Sequence, residues 1–314
     1  MANPKYLWWN GKQMPWEDAT IHVTDIGFST VGAIFEGIRA YWNEDEQEAY
    51  VFRLPEHMKR FAQSMKLVRL EQEYSTESLI ETILELIRAN EHREDIYIRP
   101  LAYRAGGSGG GFSGHSSSAG ILINTSSRPT HLKTGVKQNA CVSSWTRISD
   151  NVMPPRVKNI SNYRNGQLAT MEANINGYDV ALLLNDAGKI AEGPGACVMM
   201  VRDGKLITPG VTDSILESIT RDAIIQIARE DMGLEVVERP IDRTELYIAD
   251  EAFMCGTAAE ITPVVSVDRY DLGTGDVGPI TSELENIFLG VLRGTDSRHP
   301  DWRTPVGLKQ LARA

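Results

Sequence analysis

A polar stretch carrying a proline and a glycine, residues 126–135 (SSRPTHLKTG), divides the chain into two blocks, each with its own strands and helices. Such a segment has linker chemistry, because small polar side chains and proline favour turns over a continued helix or sheet ladder. It predicts a small N-terminal α+β domain over residues 1–125, a linker over 126–135 and a larger domain over 136–314. At 314 residues the chain is long for one hydrophobic core, in keeping with two domains.

Within the first block, short strands are expected at 6–9 and 21–23 around the turn Asn10-Gly11, and a strand pair at 34–41 and 50–53. Leu54-Pro55-Glu56 opens a helix with Met58, Phe61, Ala62, Met65 and Val68 on one face. A second helix follows Ser75-Thr76, striped by Leu79, Ile80, Ile83, Leu84 and Ile87. Strands at 96–103 and 120–124 flank a glycine- and serine-rich stretch at 106–120. The second block predicts strands at 136–143, 180–184, 197–201, 252–254 and 261–267, and helices after Tyr163, over 221–231 and over 281–293. The tail after Asp296 reads as polar and poorly ordered. Strands and helices without regular alternation favour an α+β class over a doubly wound sheet. The glycine-rich stretch lacks the strand–GxGxxG–helix setting of a dinucleotide site, and no GxxxxGK[ST] motif occurs.

The formal net charge of −10 argues against nucleic-acid and anionic-membrane partners, since no basic field draws either in. Cys141, Cys197 and Cys255 are far apart and lack metal-ligand spacing, so they read as inert thiols of a reducing compartment, and no metal site is expected. No apolar run suits a signal peptide or a membrane span, which points to a cytoplasmic protein.

The chemistry concentrates around Lys158, in MPPRVKNISNYRNG (153–166). Two prolines before it and Asn159–Asn162 after it place this lysine at a strand end or constrained turn, although it is one of ten and most lysines are solvated surface charges. Arg156 and Arg164 would lower its pKa if close in space, which an imine-forming amine requires. Glu192 lies in AEGPG (191–195); it reads as a surface-turn carboxylate or as the partner of a protonated pyridine nitrogen. Ser218 and Thr220 precede an apolar-striped helix whose first N–H groups either receive an anion or are simply capped. Thr257 offers a further hydroxyl and N–H, and Arg53 a cation at a strand end.

Seven segments in one order, IFEGIRAY (34–41), VFRLPEHMKR (51–60), YIRPL (97–101), MPPRVKNISNY (153–163), AEGPG (191–195), ITRDAI (219–224) and FMCGTAAEITPV (253–264), resemble the branched-chain amino acid aminotransferases. These are fold-type IV enzymes, akin to D-amino-acid aminotransferase, that use pyridoxal 5'-phosphate (PLP). The resemblance implies a small and a larger α/β domain with PLP between them, in a homodimer or higher homo-oligomer. It implies Lys158 as the catalytic Schiff-base lysine, Glu192 as partner of the pyridine nitrogen and Tyr163 near the phenolic oxygen. Arg53, Ile219, Thr220 and Thr257 match phosphate-binding positions, and Leu216 the residue packed on the ring. Phe35, Gly37, Arg39, Tyr97, Arg99 and Ala258 match the substrate pocket. The implied reaction moves an amino group between Leu, Ile or Val and a 2-oxo acid such as 2-oxoglutarate.

Departures from the family pattern concentrate on the pocket wall. Thr30-Val31 replaces the usual Tyr-Gly, a glycine loop stands at Ser108–Gly114, Ala196-Cys197 replaces Glu-Asn, and Glu217-Ser218 replaces Pro-Gly. They leave as alternatives a transaminase for (R)-amines or D-amino acids and, further off, an aminodeoxychorismate lyase. A PLP- or metabolite-binding protein without turnover is a different class of answer, signalled by lost catalytic residues, and none is missing here.

Overall fold

The structure is a computed structural model and describes residues 3–22, 31–104 and 117–311. The chain divides into two compact units that interleave in sequence. The first comprises Met1–Thr130, Val157–Ser161 and Val291–Ala314, the second His131–Arg156 and Asn162–Gly290.

In the first unit, β1 (Tyr6–Trp9) pairs antiparallel with β2 (Lys12–Pro15). The second strand of this hairpin is therefore Lys12–Pro15; residues 21 and 22, expected as a strand, carry none, and residue 23 lies outside the described residues. The tight turn at Asn10-Gly11, both with positive φ, brings the chain straight back, so the partner must begin at once. β3 (Ile34–Phe35), β4 (Ile38–Asn43), β5 (Glu48–Phe52), β7 (Ile96–Arg104) and β8 (Ser117–Ser127) complete the antiparallel part of the sheet, and β6 (Leu70–Glu71) adds a parallel bridge to β8.

Helix α1 (Leu54–Leu67) buries Leu54, Met58, Phe61 and Met65, the spacing of one helical face. Helix α2 (Thr76–Ala89) buries Leu79, Ile83, Leu84, Leu86 and Ile87, and its Ser75 cap accepts the Ser78 N–H. Both faces join one apolar cluster with Ile34, Ile38, Ile98 and Ile121 of the sheet.

The expectation of a poorly ordered tail after Asp296 is overturned. Arg303–Pro305 forms a strand antiparallel to β5, Trp302 and Val306 are buried, and Leu308–Leu311 is a short helix. Two apolar anchors in a polar stretch suffice because the open edge of β5 supplies backbone partners. Just ahead of the tail, Arg293 makes a two-pronged ion pair to Asp95, Nη1–Oδ1 2.9 Å and Nη2–Oδ2 2.8 Å. Asp95 is 7% exposed and also accepts the Trp42 N–H at 2.9 Å. Arg293→Ala leaves that carboxylate without its cation and is expected to lower stability by about 2 kcal/mol, read as a fall in the urea midpoint at unchanged m-value.

The second unit is built on a mixed sheet. Its elements are β9 (Gln138–Thr146), α3 (Asn162–Ile175), β10 (Val180–Leu184), β11 (Cys197–Arg202), β12 (Lys205–Thr208), α4 (Ile219–Gln226), β13 (Val236–Glu238), β14 (Glu251–Gly256) and β15 (Glu260–Val267). The strand order is β10-β9-β15-β14-β11-β12-β13, with β9 parallel to both β10 and β15. The helix expected over 221–231 is α4 followed by a π-helical turn, Ile227–Asp231. The last long helix runs Pro279–Arg293. Among the described residues no helix is long and apolar enough to cross a membrane.

Candidate active site

In the first unit the alternation of IFEGIRAY sorts side chains between two faces. Ile34, Ile38 and Ala40 enter the core, while Phe35, Gly37, Arg39 and Tyr41 share the other face. Register places Arg39 opposite Tyr97, so the Tyr97 side chain rises on that second face. Gly37 makes room for it: a Cβ there would lie 2.0 Å from Tyr97 Oη and 2.8 Å from Cζ. The Arg99 guanidinium lies 5.2 Å from the centre of the Phe35 ring and is exposed, with no ion pair among the described residues. Arg39 is 1% exposed; its guanidinium donates to the Arg128 carbonyl and covers the Tyr41 ring.

Lys158 joins this face through the main chain. Phe35 N–H donates to Lys158 O at 3.0 Å, Ile34 and Asn159 form an isolated antiparallel bridge, and Ile160 N–H donates to Ala33 O at 2.9 Å. Asn159 Oδ1 accepts the Ser161 N–H at 2.9 Å, closing a turn that keeps Lys158 off any helix. Its ammonium stands 4.8 Å from the Phe35 ring centre. Arg156 pairs with Glu217 at 3.0 Å and Asp150 at 3.5 Å, and Arg164 donates to Gln167 at 3.2 Å, so both have anionic or polar partners of their own. Arg53 sits ahead of α1 in a left-handed conformation (φ 45°), its N–H held by Trp302 O at 2.7 Å and its Nε by Glu56 at 3.0 Å.

In the second unit Glu192 is buried at 4% exposure, so the surface-turn reading gives way. Its main chain lies between β10 and β11, bonded to Leu183 and bridged to Cys197. The carboxylate pairs with Arg147 Nη2 at 2.7 Å and accepts the Leu216 N–H at 3.2 Å and the Cys197 thiol at 3.7 Å. Burial first, then the neighbouring Glu192 charge, pushes that thiol well above its ordinary pKa, so it stays a neutral donor. Arg147 is the residue that sequence reasoning missed; the signal available was that a buried carboxylate demands a cation.

Tyr163 opens α3 beside the same loop: its ring lies 3.7 Å from where a Cβ on Gly195 would stand. Gly166, one turn on, lets the helix meet that loop, since a Cβ there would lie 2.7 Å from Pro194 O. Ser218 caps α4 by accepting the Arg221 N–H at 3.2 Å. Ile219 and Thr220, 9% and 2% exposed, have backbone N–H groups without a partner among the described residues. Arg221 turns back to the sheet, to Thr208, Pro209 and Glu238. Thr257 and Ala258 occupy the turn of the β14–β15 hairpin, closed by the buried Glu260 at φ 48°. Glu260 accepts the His131 N–H at 2.9 Å, fastening the start of this unit to the hairpin.

The candidates thus gather in two sets: Glu192, Tyr163, Leu216, Ile219, Thr220, Thr257 and Ala258 in the second unit, and Lys158, Phe35, Gly37, Arg39, Tyr97, Arg99 and Arg53 in the first. Thr30 and Ser108–Gly114 lie outside the described residues, while Val31 is 56% exposed. Among the described residues no cluster of side chains suits a metal ion.

An α+β chain that presents a main-chain-held amine, a buried cation-paired carboxylate and an unpartnered helix start has the form of an enzyme of amine chemistry. The amino-transferase class IV family model matches residues 33–267, and the chain belongs to that family. A probable branched-chain-amino-acid aminotransferase of Aquifex aeolicus (strain VF5) is 41% identical over 310 residues, covering 96% of each chain. A branched-chain amino acid aminotransferase from Thermobaculum terrenum, solved in its PLP-form, is 51% identical with a TM-score of 0.94, over 97% of this chain and 99% of that one. The enzyme from Thermoproteus uzoniensis, solved with norvaline, is 38% identical with a TM-score of 0.90, over 96% and 99%.

Proposed function

We propose that this chain is a PLP-dependent aminotransferase that moves the amino group of Leu, Ile or Val to a 2-oxo acid such as 2-oxoglutarate. The observation that carries the reading is the second unit's pairing of a buried charged carboxylate, Glu192, with the unpartnered N–H groups of Ile219 and Thr220. These suit the two polar ends of one cofactor, a protonated ring nitrogen and a phosphate. The residues present therefore fit PLP: Glu192, Tyr163, Leu216, Ile219, Thr220 and Thr257 would hold it, with Lys158 and Arg53 from the first unit. When bound, PLP supplies an aldehyde for amine exchange and a ring that takes up electrons from the substrate Cα.

Lys158 Nζ would be the amine that holds the cofactor and the base that carries the substrate Cα proton. Glu192, paired with Arg147 and accepting the Leu216 N–H, would hold the proton on the ring nitrogen. Phe35 and Tyr97 offer an apolar wall, and exposed Arg99, with the backbone of Thr257 and Ala258, receives a carboxylate. The names of the relatives support branched-chain donors. The same reading has the chain working as a homodimer or higher homo-oligomer in the cytoplasm, without nucleic-acid or membrane partners; the net charge of −10 supports the last point.

A donor panel tests the reading, with 2-oxoglutarate as acceptor and Leu, Ile, Val, D-Ala and (R)-1-phenylethylamine as donors. The branched-chain donors are expected to give kcat/KM at least about tenfold above the last two, the difference one or two good apolar contacts make. The reverse order would make this a transaminase of (R)-amines or D-amino acids.

A further inference from the structure

Glu36 lies in the short link between β3 and β4, flanked by the core residues Ile34 and Ile38, and is wholly buried. Its carboxylate accepts both Nε and Nη2 of Arg60 at 2.8 Å and His57 Nδ1 at 2.9 Å. Burial pushes this carboxyl up, but the charge and hydrogen bonds of Arg60, and then the His57 hydrogen bond, outweigh it and hold the pKa at about 2, so Glu36 is ionised at any working pH. Burial first of all lowers the pKa of His57, whose ring is neutral with Nδ1–H donating. His57 Nε2 is buried without a hydrogen-bond partner, so the ring's side-chain bonding goes to Glu36.

Both ends of this cluster reach cofactor candidates within a residue or a helical turn. On one side, Glu36 adjoins Phe35, whose N–H holds the Lys158 carbonyl, and the Glu36 N–H is itself held by Pro100 O at 2.9 Å. On the other, His57 N–H donates to Arg53 O at 3.1 Å, the bond that closes the first turn of α1, and Arg60 lies on the next turn. The cluster thus links, within one unit, the main chain that carries Lys158 to the main chain that carries Arg53. A buried ion pair adds little over a packed apolar cluster in net stability, because desolvation offsets the Coulomb gain. What it does is fix geometry, since three charge-assisted hydrogen bonds admit one arrangement.

We propose that Glu36, with His57 and Arg60, is a positioning brace that sets the spacing between Lys158 and Arg53, so that one PLP molecule satisfies both at once. The proposal rests on the PLP reading above. A rigid brace makes the second contact intramolecular, and loosening it weakens the phosphate's contribution while leaving the imine end to form by itself.

The test compares wild type, Glu36→Gln and His57→Asn as cofactor-free full-length protein. Dissociation constants are measured for PLP and, in a separate titration, for pyridoxal with inorganic phosphate. The pyridoxal constant divided by the PLP constant measures how far the phosphate tether strengthens binding. In both variants the ratio is expected to fall by about tenfold or more, through weaker PLP binding at nearly unchanged pyridoxal binding. In an Arg53→Met background, Glu36→Gln should change the ratio no further, because the brace then has nothing to position. A merely structural cluster would lower the melting temperature and weaken both ligands alike, and a ratio unchanged in any soluble variant overturns the proposal. If Glu36→Gln does not fold, His57→Asn, which keeps the Glu36–Arg60 pair, decides the matter alone. Failure of wild type to bind PLP would instead remove the functional reading itself.

Discussion

Lys158→Ala is expected to abolish the visible-range absorption of lysine-bound PLP and to lower turnover by at least about 10^3-fold. The prediction is sharp because the side chain is chemically central but structurally light. Main-chain contacts that do not involve the side chain help hold the segment in place: the Phe35 N–H to Lys158 O bond, the Ile34–Asn159 bridge and the Ile160 N–H to Ala33 O bond. All three survive the substitution. The ammonium's contact with the Phe35 ring contributes about 0.5–1 kcal/mol, too little to unfold a domain. The variant should therefore keep its far-ultraviolet circular dichroism and lie within about 1 kcal/mol of wild type in urea. Loss of the band with the fold intact assigns the amine. Should band and turnover persist, another of the ten lysines carries the chemistry and the assignment fails.

What was legible in the sequence follows from how far each interaction reaches along the chain. The stripes of α1 and α2 were readable because helical packing repeats every three or four residues, and Met58, Phe61, Met65, Ile83 and Ile87 all lie in the core. The core face of β4 was readable through its alternation. That alternation also held the signal for the Glu36 cluster, a charge on an apolar face that demands partners, but Arg60 and His57 lie beyond any local window. Taken by itself Glu192 reads as a surface-turn carboxylate, because its glycines and proline are turn chemistry wherever they occur. Its burial depends on Arg147, contributed from the end of β9. The ordered tail was illegible for the opposite reason. Trp302 and Val306 are too few to form a pattern, and the strand they anchor needs the edge of β5.

Glu192→Gln is the second large effect, and here structure and chemistry fail together. The carboxylate accepts hydrogen bonds on both oxygens, from Arg147 at 2.7 Å and from the Leu216 N–H at 3.2 Å. A glutamine offers one acceptor. With its oxygen toward Arg147, the amide nitrogen faces the Leu216 N–H, two donors with nothing between them; turned the other way, it faces the guanidinium. Either orientation leaves a buried donor unsatisfied at about 1–3 kcal/mol, and Arg147, itself 7% exposed, loses its counter-charge. Stability is expected to fall by about 2–4 kcal/mol, seen as a lower urea midpoint. The chemical loss is larger, because a neutral side chain no longer holds a proton on the ring nitrogen and electrons leaving the substrate Cα find a weaker sink. Turnover should drop by about 10^2–10^3-fold with KM changed far less, since the missing charge acts on the transition state and not on substrate binding. Glu192→Asp separates the two contributions: it keeps the charge and shortens the reach, so it should recover much of the stability and less of the rate. A Glu192→Gln variant with wild-type kcat would sink the pairing of this carboxylate with the cofactor ring, while leaving Lys158 untouched.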